Sequence, residues 1–289
     1  MDNTKKDVVF IDAYNLIYSA FHGNQSPMKN QDGIPTNAIF TVTKMLQKLP
    51  KQFNDIAYCV AVFDGGGNFR EELDENYKAN RKPMPEELKV QMPYIKLAFE
   101  ILGWPMMQAK DVEADDVIGT LAIRSAKAGY NTYIVSSDKD FRQIVSENLH
   151  VLDTMHDICY DPETVKEKMG ITPDNVITYL SLLGDSADNV IGIDKVGKGT
   201  AAKYLNEYGN LEGIRVNQLL LKGVAGENMR LAFSSGKIDK NVQLITLKTD
   251  VDVSITVKDV KMKPLNVEKW VDFCKEMNFK TLLAQDYRP

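Results

Sequence analysis

Cysteine and histidine are scarce in this 289-residue chain, three of each. Cys59, Cys159 and Cys274 lie about a hundred residues apart with no CxxC pair, which excludes a disulfide framework and a zinc knuckle. Each is expected to be a small core hydrophobe. His22, His150 and His156 also lack ligand-like spacing, leaving them surface or packing roles. Long apolar runs are missing too. Stretches such as Ile56 to Phe63 are strand-sized, far short of the roughly 20 residues of a membrane-spanning helix. The start, MDNTKKDVVFID, places Asp12 where the apolar part of a secretion signal would have to run. No internal repeat or low-complexity segment is visible. A soluble, cytoplasmic, monomeric protein with no membrane partner is expected.

What is there is ordinary in bulk: 44% hydrophobic and 26% charged residues, globular values that exclude disordered and fibrous classes. A chain of 32.5 kDa is long for one compact core, so a large domain with an appended lobe, or two domains, is expected. The net charge of −5 disfavours a nucleic-acid partner, unless the acidic residues are gathered at one metal site.

Strand-like runs at residues 8–11 and 56–63 end at Asp12 and Asp64, and a third at 133–135 leads through Ser136 and Ser137 to Asp138. Between them, apolar residues recur at helical spacing over 36–49, 86–102 and 117–128, the last stopped by Gly129. Strands alternating with helices predict an α/β fold, a parallel sheet flanked by helices. Sites in such sheets form beyond the carboxyl ends of the strands, which places the three aspartates on one rim. From residue 172 the texture changes. Thr172 and Pro173 open a helix that Gly184 closes, and the Gly-rich, Lys-bearing stretch GDSADNVIGIDKVGKGTAAKYLNEYG follows. Two units are expected: a core over 1–171 and a mostly helical lobe over 172–289.

Acidic residues recur in four places: Asp12; Glu113, Asp115 and Asp116 in VEADD; Asp138 and Asp140 in SSDKD; Asp185 and Asp188 in GDSADN. Each group has an ordinary reading, as helix N-caps, dipole partners or Asx turns. Together on one rim they would repel severely unless cations were bound. Oxygen ligands without Cys or His point to Mg²⁺ or Mn²⁺. Two such ions suit in-line displacement at a phosphodiester, so a metal-dependent phosphoryl hydrolase is the chemistry this layout supports.

The motifs FIDAYNLIY, VFDGGGNFREELDENYKANR, VEADDVIGTLA, SSDKDFRQI and LLGDSADNV occur in this order. In these the chain resembles the bacterial and phage 5′-to-3′ exonuclease and flap endonuclease family, which includes the N-terminal nuclease domain of DNA polymerase I. The resemblance runs from about residue 8 to 283. It implies a PIN-like 5′-nuclease core, a helical arch over about 68–100, and a C-terminal helix-hairpin or helix-turn-helix lobe that grips branched or flapped duplex DNA bearing a 5′ end. One metal site would involve Asp12, Asp64, Glu113, Asp115 and Asp116, the other Asp138, Asp140, Asp185 and Asp188. Lys78 and Arg81 would act catalytically on the scissile phosphate, Tyr77 would be a base-stacking platform, and Phe69 and Arg70 belong to the same DNA-binding stretch.

The duplex-binding hairpin is expected over about 185–222, with Gly192, Lys195, Gly197, Lys198, Gly199, Thr200 and Lys203 contacting the backbone. From Lys195 to Lys222 five basic residues stand against two acidic ones, a local +3. Departures from the family pattern fall here. Lys195 replaces a turn glycine, Gly199 a lysine and Ile191 a proline, so altered hairpin geometry is expected and the K⁺ site the family implies is in question. Ser19 stands for an arginine, and Asp111-Val112 for Gly-Tyr. Rival readings are a PIN-type ribonuclease, against which the arch and hairpin segments argue, and a non-catalytic DNA-structure binder, against which the complete acid set argues.

Overall fold

The computed structural model describes residues 6–67, 69–109, 111–253, 255 and 260–284. Its centre is a six-stranded sheet built from β1 (Asp7–Asp12), β2 (Ile56–Phe63), β3 (Met106–Gln108), β4 (Asn131–Val135), β5 (Leu149–Asp153) and β6 (Ile158–Tyr160), in the order β3-β2-β1-β4-β5-β6. Pairs from β3 to β5 are parallel; the edge strand β6 is antiparallel. Cys159 sits exposed on that edge rather than in the core, while Cys59 and Cys274 are buried.

Alternation along the central strand divides two cores. Val8 and Phe10 of β1 join one apolar cluster, Val9 and Ile11 the other, because successive side chains of a strand point to opposite faces. On the Val9 and Ile11 side pack α1 (Ala13–Gly23), α2 (Asn37–Lys48) and, later in the chain, α4 (Glu86–Lys89) and α5 (Met92–Ile101), which contribute Leu88, Ile95 and Phe99, whereas α3 (Phe69–Leu73) lies on the opposite side, where Arg70 meets the Leu244 carbonyl. The single helix expected over 86–102 is two, because Pro93 lacks an N–H and favours a first turn. The span expected to form an arch is therefore three short helices joined by turns, and α5 lies in the core; residue 68 lies outside the described residues.

The opposite face carries α6 (Ala114–Lys127) and the lobe: α7 (Pro162–Met169), α8 (Val176–Leu183), the two-residue strands β7 (Gly184–Asp185) and β8 (Val190–Ile191), α9 (Lys198–Tyr208), α10 (Leu211–Val216), α11 (Gly223–Ser234) and α12 (Lys237–Ile245). The lobe shares its core with that face. The C-terminal helices α13 (Val267–Glu276) and α14 (Lys280–Leu283) leave the lobe and pack on the other side, where Phe279 meets Phe40 edge-to-face at 5.2 Å. A lobe running unbroken from 172 to the end is thus not what forms; its last helices belong to the core. No described helix is long and apolar enough to cross a membrane.

Candidate active site

The parallel register places the ends of β1, β2 and β4 together: Ile11 is level with Val135, and Asp12 with Val62. Asp12 ends its strand and N-caps α1, its Oδ1 accepting the Asn15 N–H at 3.1 Å. Its Oδ2 accepts the Ser136 hydroxyl at 3.0 Å, and Ser136 Oγ accepts the Asp138 N–H at 3.1 Å. Asn15 Oδ1 accepts the Ser137 N–H at 2.9 Å and hydroxyl at 3.0 Å. Two strand ends are so laced together. Asp138 Oδ1 accepts the Asp140 N–H at 2.9 Å, an Asx turn that aims the second carboxylate onward.

Asp140, Asp185 and Asp188 then converge, each offering an oxygen within 4.8 Å of the others. Asp185 is buried, and Asp140 Oδ1 is buried without a hydrogen-bond partner. Lys139 lies 3.1 Å from Asp185. Asp12 as a cap and Asp138 as an Asx turn thus keep their ordinary roles, yet these turns bring the carboxylates of Asp140, Asp185 and Asp188 together and leave one Asp140 oxygen without a partner.

Electrostatics join the groups into one cluster. Burial pushes Asp12 from 3.8 up to about 6, with the charges of Asp138 and Asp64 adding while the Asn15 and Ser136 hydrogen bonds pull down. Burial raises Asp115 well above its ordinary value, reinforced by Asp12 and Asp138. Asp138 is raised by burial and by Asp188 and Asp185, and Asp140 by burial, Asp138, Asp185 and Asp188. Carboxylates this close ionise together only with cations among them. The orphaned Asp140 oxygen and the all-oxygen donor set fit a hard divalent cation. Asp12, Asp64, Asp115, Asp138, Asp140, Asp185 and Asp188 are the groups that could hold it.

Glu113 and Asp116 are placed differently. Asp116 is 1% exposed and both its oxygens are occupied: Arg70 Nη1 and Nη2 each lie 2.8 Å away, and the Lys248 N–H donates at 2.8 Å. Asp116, expected to be a metal ligand, is placed as the counter-ion of Arg70. Glu113 divides its carboxylate between Arg70, at 2.5 Å, and Lys78. Arg70, expected to touch DNA, is 2% exposed inside this pair of acids. Tyr77, expected to stack on a base, is 5% exposed, and its hydroxyl donates to Asp188 Oδ2 at 2.8 Å. No ring face is free. Burial first, then the negative charge of Asp188 and Glu113, raises the Tyr77 phenol and keeps it a donor. Phe69 lies under Lys248 Nζ, 3.6 Å from its ring centre, and beside Arg70 at 4.6 Å.

Lys78 and Arg81 meet at one carboxylate although their segment is not helical. Lys78 has φ +56° and donates its N–H to the Asp188 carbonyl at 2.9 Å. Its Nζ is 3.8 Å from Asp188 Oδ2, and Arg81 Nη2 is 2.6 Å from Oδ1. Burial disfavours the Lys78 charge, but Glu113 and Asp188 outweigh it and hold the ammonium above its usual pKa. Asn80 and Asn189 staple the two turns, donating to the Ser186 carbonyl at 2.7 Å and the Asn76 carbonyl at 2.8 Å. Two basic groups thus border the carboxylates.

In the lobe, the hairpin turns where a side chain cannot fit: a Cβ on Gly192 would lie 2.1 Å from the Leu183 carbonyl oxygen. Lys195 adopts φ +62°, a left-handed conformation that favours glycine. A side chain in that conformation carries a steric cost of roughly 1–2 kcal/mol. Gly197 caps α9, and Lys195, Gly197, Lys198, Gly199 and Lys203 are exposed, with Gly192 and Thr200 half-buried. Sequence reasoning missed Asn15, Ser136, Lys139 and Lys248. Only Lys139 carried a signal, a cation between the two aspartates of SSDKD.

Residues 7–170 match the family described as 5′-3′ exonuclease, N-terminal resolvase-like domain, and residues 171–268 match 5′-3′ exonuclease, C-terminal SAM fold. The chain belongs to the 5′-3′ exonuclease family. A 5′-3′ exonuclease of Aquifex aeolicus is 34% identical over 97% of this chain and 95% of its own length. DNA polymerase I of Pseudomonas aeruginosa is 36% identical over 96% of this chain but 31% of its own length; the chain spans about a third of such polymerases. Among solved structures, a bacteriophage T5 flap endonuclease in complex with DNA and metal ions superposes with a TM-score of 0.68 at 22% identity, over 84% of this chain and 90% of the other. The catalytic core of Rad2 with DNA substrate gives 0.62 at 17%, over 94% and 87%. These two likenesses establish the fold alone.

Proposed function

We propose that this chain is a structure-specific 5′ nuclease, a 5′-3′ exonuclease and flap endonuclease that hydrolyses DNA phosphodiesters with Mg²⁺ or Mn²⁺ and leaves 5′-phosphate and 3′-hydroxyl ends. The observation that carries it is the convergence of carboxylates from five chain segments on one rim, bordered by Lys78 and Arg81, in a chain of this family. Asp12, Asp115 and Asp138 would hold one ion with Asp64, and Asp140, Asp185 and Asp188 another. When bound, the ions activate water and stabilise charge on the phosphate and leaving oxygen. The chain's own residues do the rest. Lys78 and Arg81 neutralise the non-bridging oxygens as their charge grows, and Tyr77 holds Asp188 by its hydroxyl.

The exposed lobe surface from Lys195 to Lys203 supports duplex binding with no sequence preference, through lysines and the free N–H groups of the first turn of α9. The substrate read this way is branched or flapped DNA with a 5′ end, bound by a monomer. A labelled 5′-flap substrate with Mg²⁺, with EDTA, and against the matching RNA tests the reading. Cleavage of DNA that stops in EDTA is expected. Cleavage that survives EDTA, binding without cleavage, or cleavage confined to RNA would each refute it.

A further inference from the structure

Arg70 has no part in the chemistry just described, yet its surroundings are built around it. Its guanidinium is 2% exposed and has five N–H donors. Each finds an acceptor: Nε donates to the Leu244 carbonyl at 2.8 Å, Nη1 to Glu113 at 2.5 Å and Asp116 at 2.8 Å, and Nη2 to Asp116 and the Thr246 carbonyl, both at 2.8 Å. Among the described residues these acceptors come from two places. Glu113 and Asp116 are the N-cap and first turn of α6, the helix whose Asp115 joins the carboxylate cluster. Leu244 and Thr246 are the end of α12 and the residue following it.

α12 in turn holds the hairpin. Lys237 Nζ donates to the Gly192 carbonyl at 2.8 Å, and Asn241 Nδ2 to the Ile191 carbonyl at 3.0 Å. The segment after α12 is sewn to the same acid-bearing elements a second time: the Lys248 N–H donates to Asp116, and Gln143, three residues beyond Asp140, donates to the Ile245 carbonyl at 3.0 Å while accepting the Leu247 N–H at 3.0 Å. One buried cation therefore lies between the element that grips the hairpin and the helix turn that presents Asp115.

We propose that Arg70 is a positioning residue: it clamps the first turn of α6 to the end of α12, so that Asp115 reaches the carboxylate cluster and Glu113 reaches Lys78 only when the lobe is seated. The proposal rests on the nuclease reading above. A lysine in its place brings three donors in another geometry, so at least two of the five acceptors lose their partner, and the paired carboxylates turn with them. Buried clamps of this kind act on rate through sub-ångström placement of the groups beside the reacting centre.

The test is Arg70→Lys in the full chain, at a temperature where circular dichroism shows it folded. Expected are a single-turnover rate on a 5′ flap in Mg²⁺ at least tenfold below wild type, an unchanged cleavable amplitude, and a DNA dissociation constant in Ca²⁺ within about threefold. In metal-free protein, hydrogen exchange should quicken in peptides covering 111–120 and 244–251 and not elsewhere. Loss of amplitude at unchanged rate constant, equal loss of affinity and rate, or unaltered exchange in those two peptides would each overturn the clamp. If wild type itself shows no metal-dependent cleavage, the nuclease reading fails, and the exchange experiment still decides whether Arg70 joins the two elements. Should Arg70→Lys not fold, the paired variant Arg70→Met with Asp116→Asn removes both buried charges together; it is expected to fold and remain at least tenfold slow, and a wild-type rate for it refutes the proposal.

Discussion

Replacing Asp138 by Asn should stabilise the metal-free protein while weakening its response to metal. Asp12 has its carboxyl held at about 6, against 3.8 for an ordinary one, by burial and by its charged neighbours. That difference is worth about 3 kcal/mol at neutral pH. Its sign follows from proton linkage: the folded state binds the proton more tightly than the unfolded state, so folding stability falls as pH rises between about 4 and about 6, and the whole penalty is present above that window. Asp115, Asp138 and Asp140 are shifted in the same direction and add to the fall.

Asp138 is one of the charges that raises Asp12, Asp115 and Asp140. An asparagine keeps the acceptor for the Asp140 N–H and removes the charge. Relief of about 1 kcal/mol is expected, a rise of about 2 to 4 °C in Tm for a chain of this size. Thermal unfolding in EDTA at pH 4.5, 6 and 7.5, for wild type and Asp138→Asn, measures it. The gap between the two proteins should widen with pH, because only the ionised cluster repels. Adding Mn²⁺ at pH 7.5 should raise the wild-type Tm more than the variant's, which keeps Asp140, Asp185 and Asp188 for one ion but has lost a ligand of the other. A variant less stable than wild type in EDTA at pH 7.5, or a gap that narrows as pH rises, would show that the carboxylates are not strained against each other.

Three further expectations concern the basic groups. Lys195→Gly removes the left-handed strain at φ +62°, so Tm should rise by the equivalent of about 1 kcal/mol, while DNA affinity falls slightly with the lost charge; a lower Tm would mean that the lysine makes a stabilising contact. Lys198→Ala with Lys203→Ala should weaken binding to flap and plain duplex alike and reduce the slope of log affinity against log salt by up to about 2, and an unchanged slope would locate the duplex elsewhere. Arg81→Ala should lower single-turnover cleavage by roughly 10² to 10³ with a much smaller change in DNA affinity; equal losses in both would make it a phosphate anchor.

The sheet was legible because strand and helix periods differ and because strands that finish on aspartate are short and apolar. Its edges were not. β3 and β6 have three residues each, too few for a period to register, and the antiparallel turn of β6 depends on packing rather than pattern. The return of α13 to the far face was equally hidden. Its amphipathic stripe of Trp270, Phe273 and Cys274 announces a buried helix, but nothing in a stripe says which surface it will meet.

The site shows the same division at the level of single side chains. Motif order placed the acids on one rim, because the residue after a parallel strand has only one place to go. Whether a given side chain on that rim faces the opening or the core is decided by partners far away in sequence. Asp115 and Asp116 are neighbours, yet one is raised by burial and by Asp12 and Asp138 while the other is saturated by Arg70 and by the Lys248 N–H, 132 residues on. Tyr77 is next to Lys78, yet its ring is inside and its hydroxyl on Asp188, 111 residues on. A charged or aromatic residue in a DNA-handling motif reads as a contact when only its type is known. In a cluster this acidic the alternative use is as pressing as the obvious one, since each carboxylate that does not face a metal ion needs a buried cation or donor of its own, and Arg70 and Tyr77 are the residues that supply them.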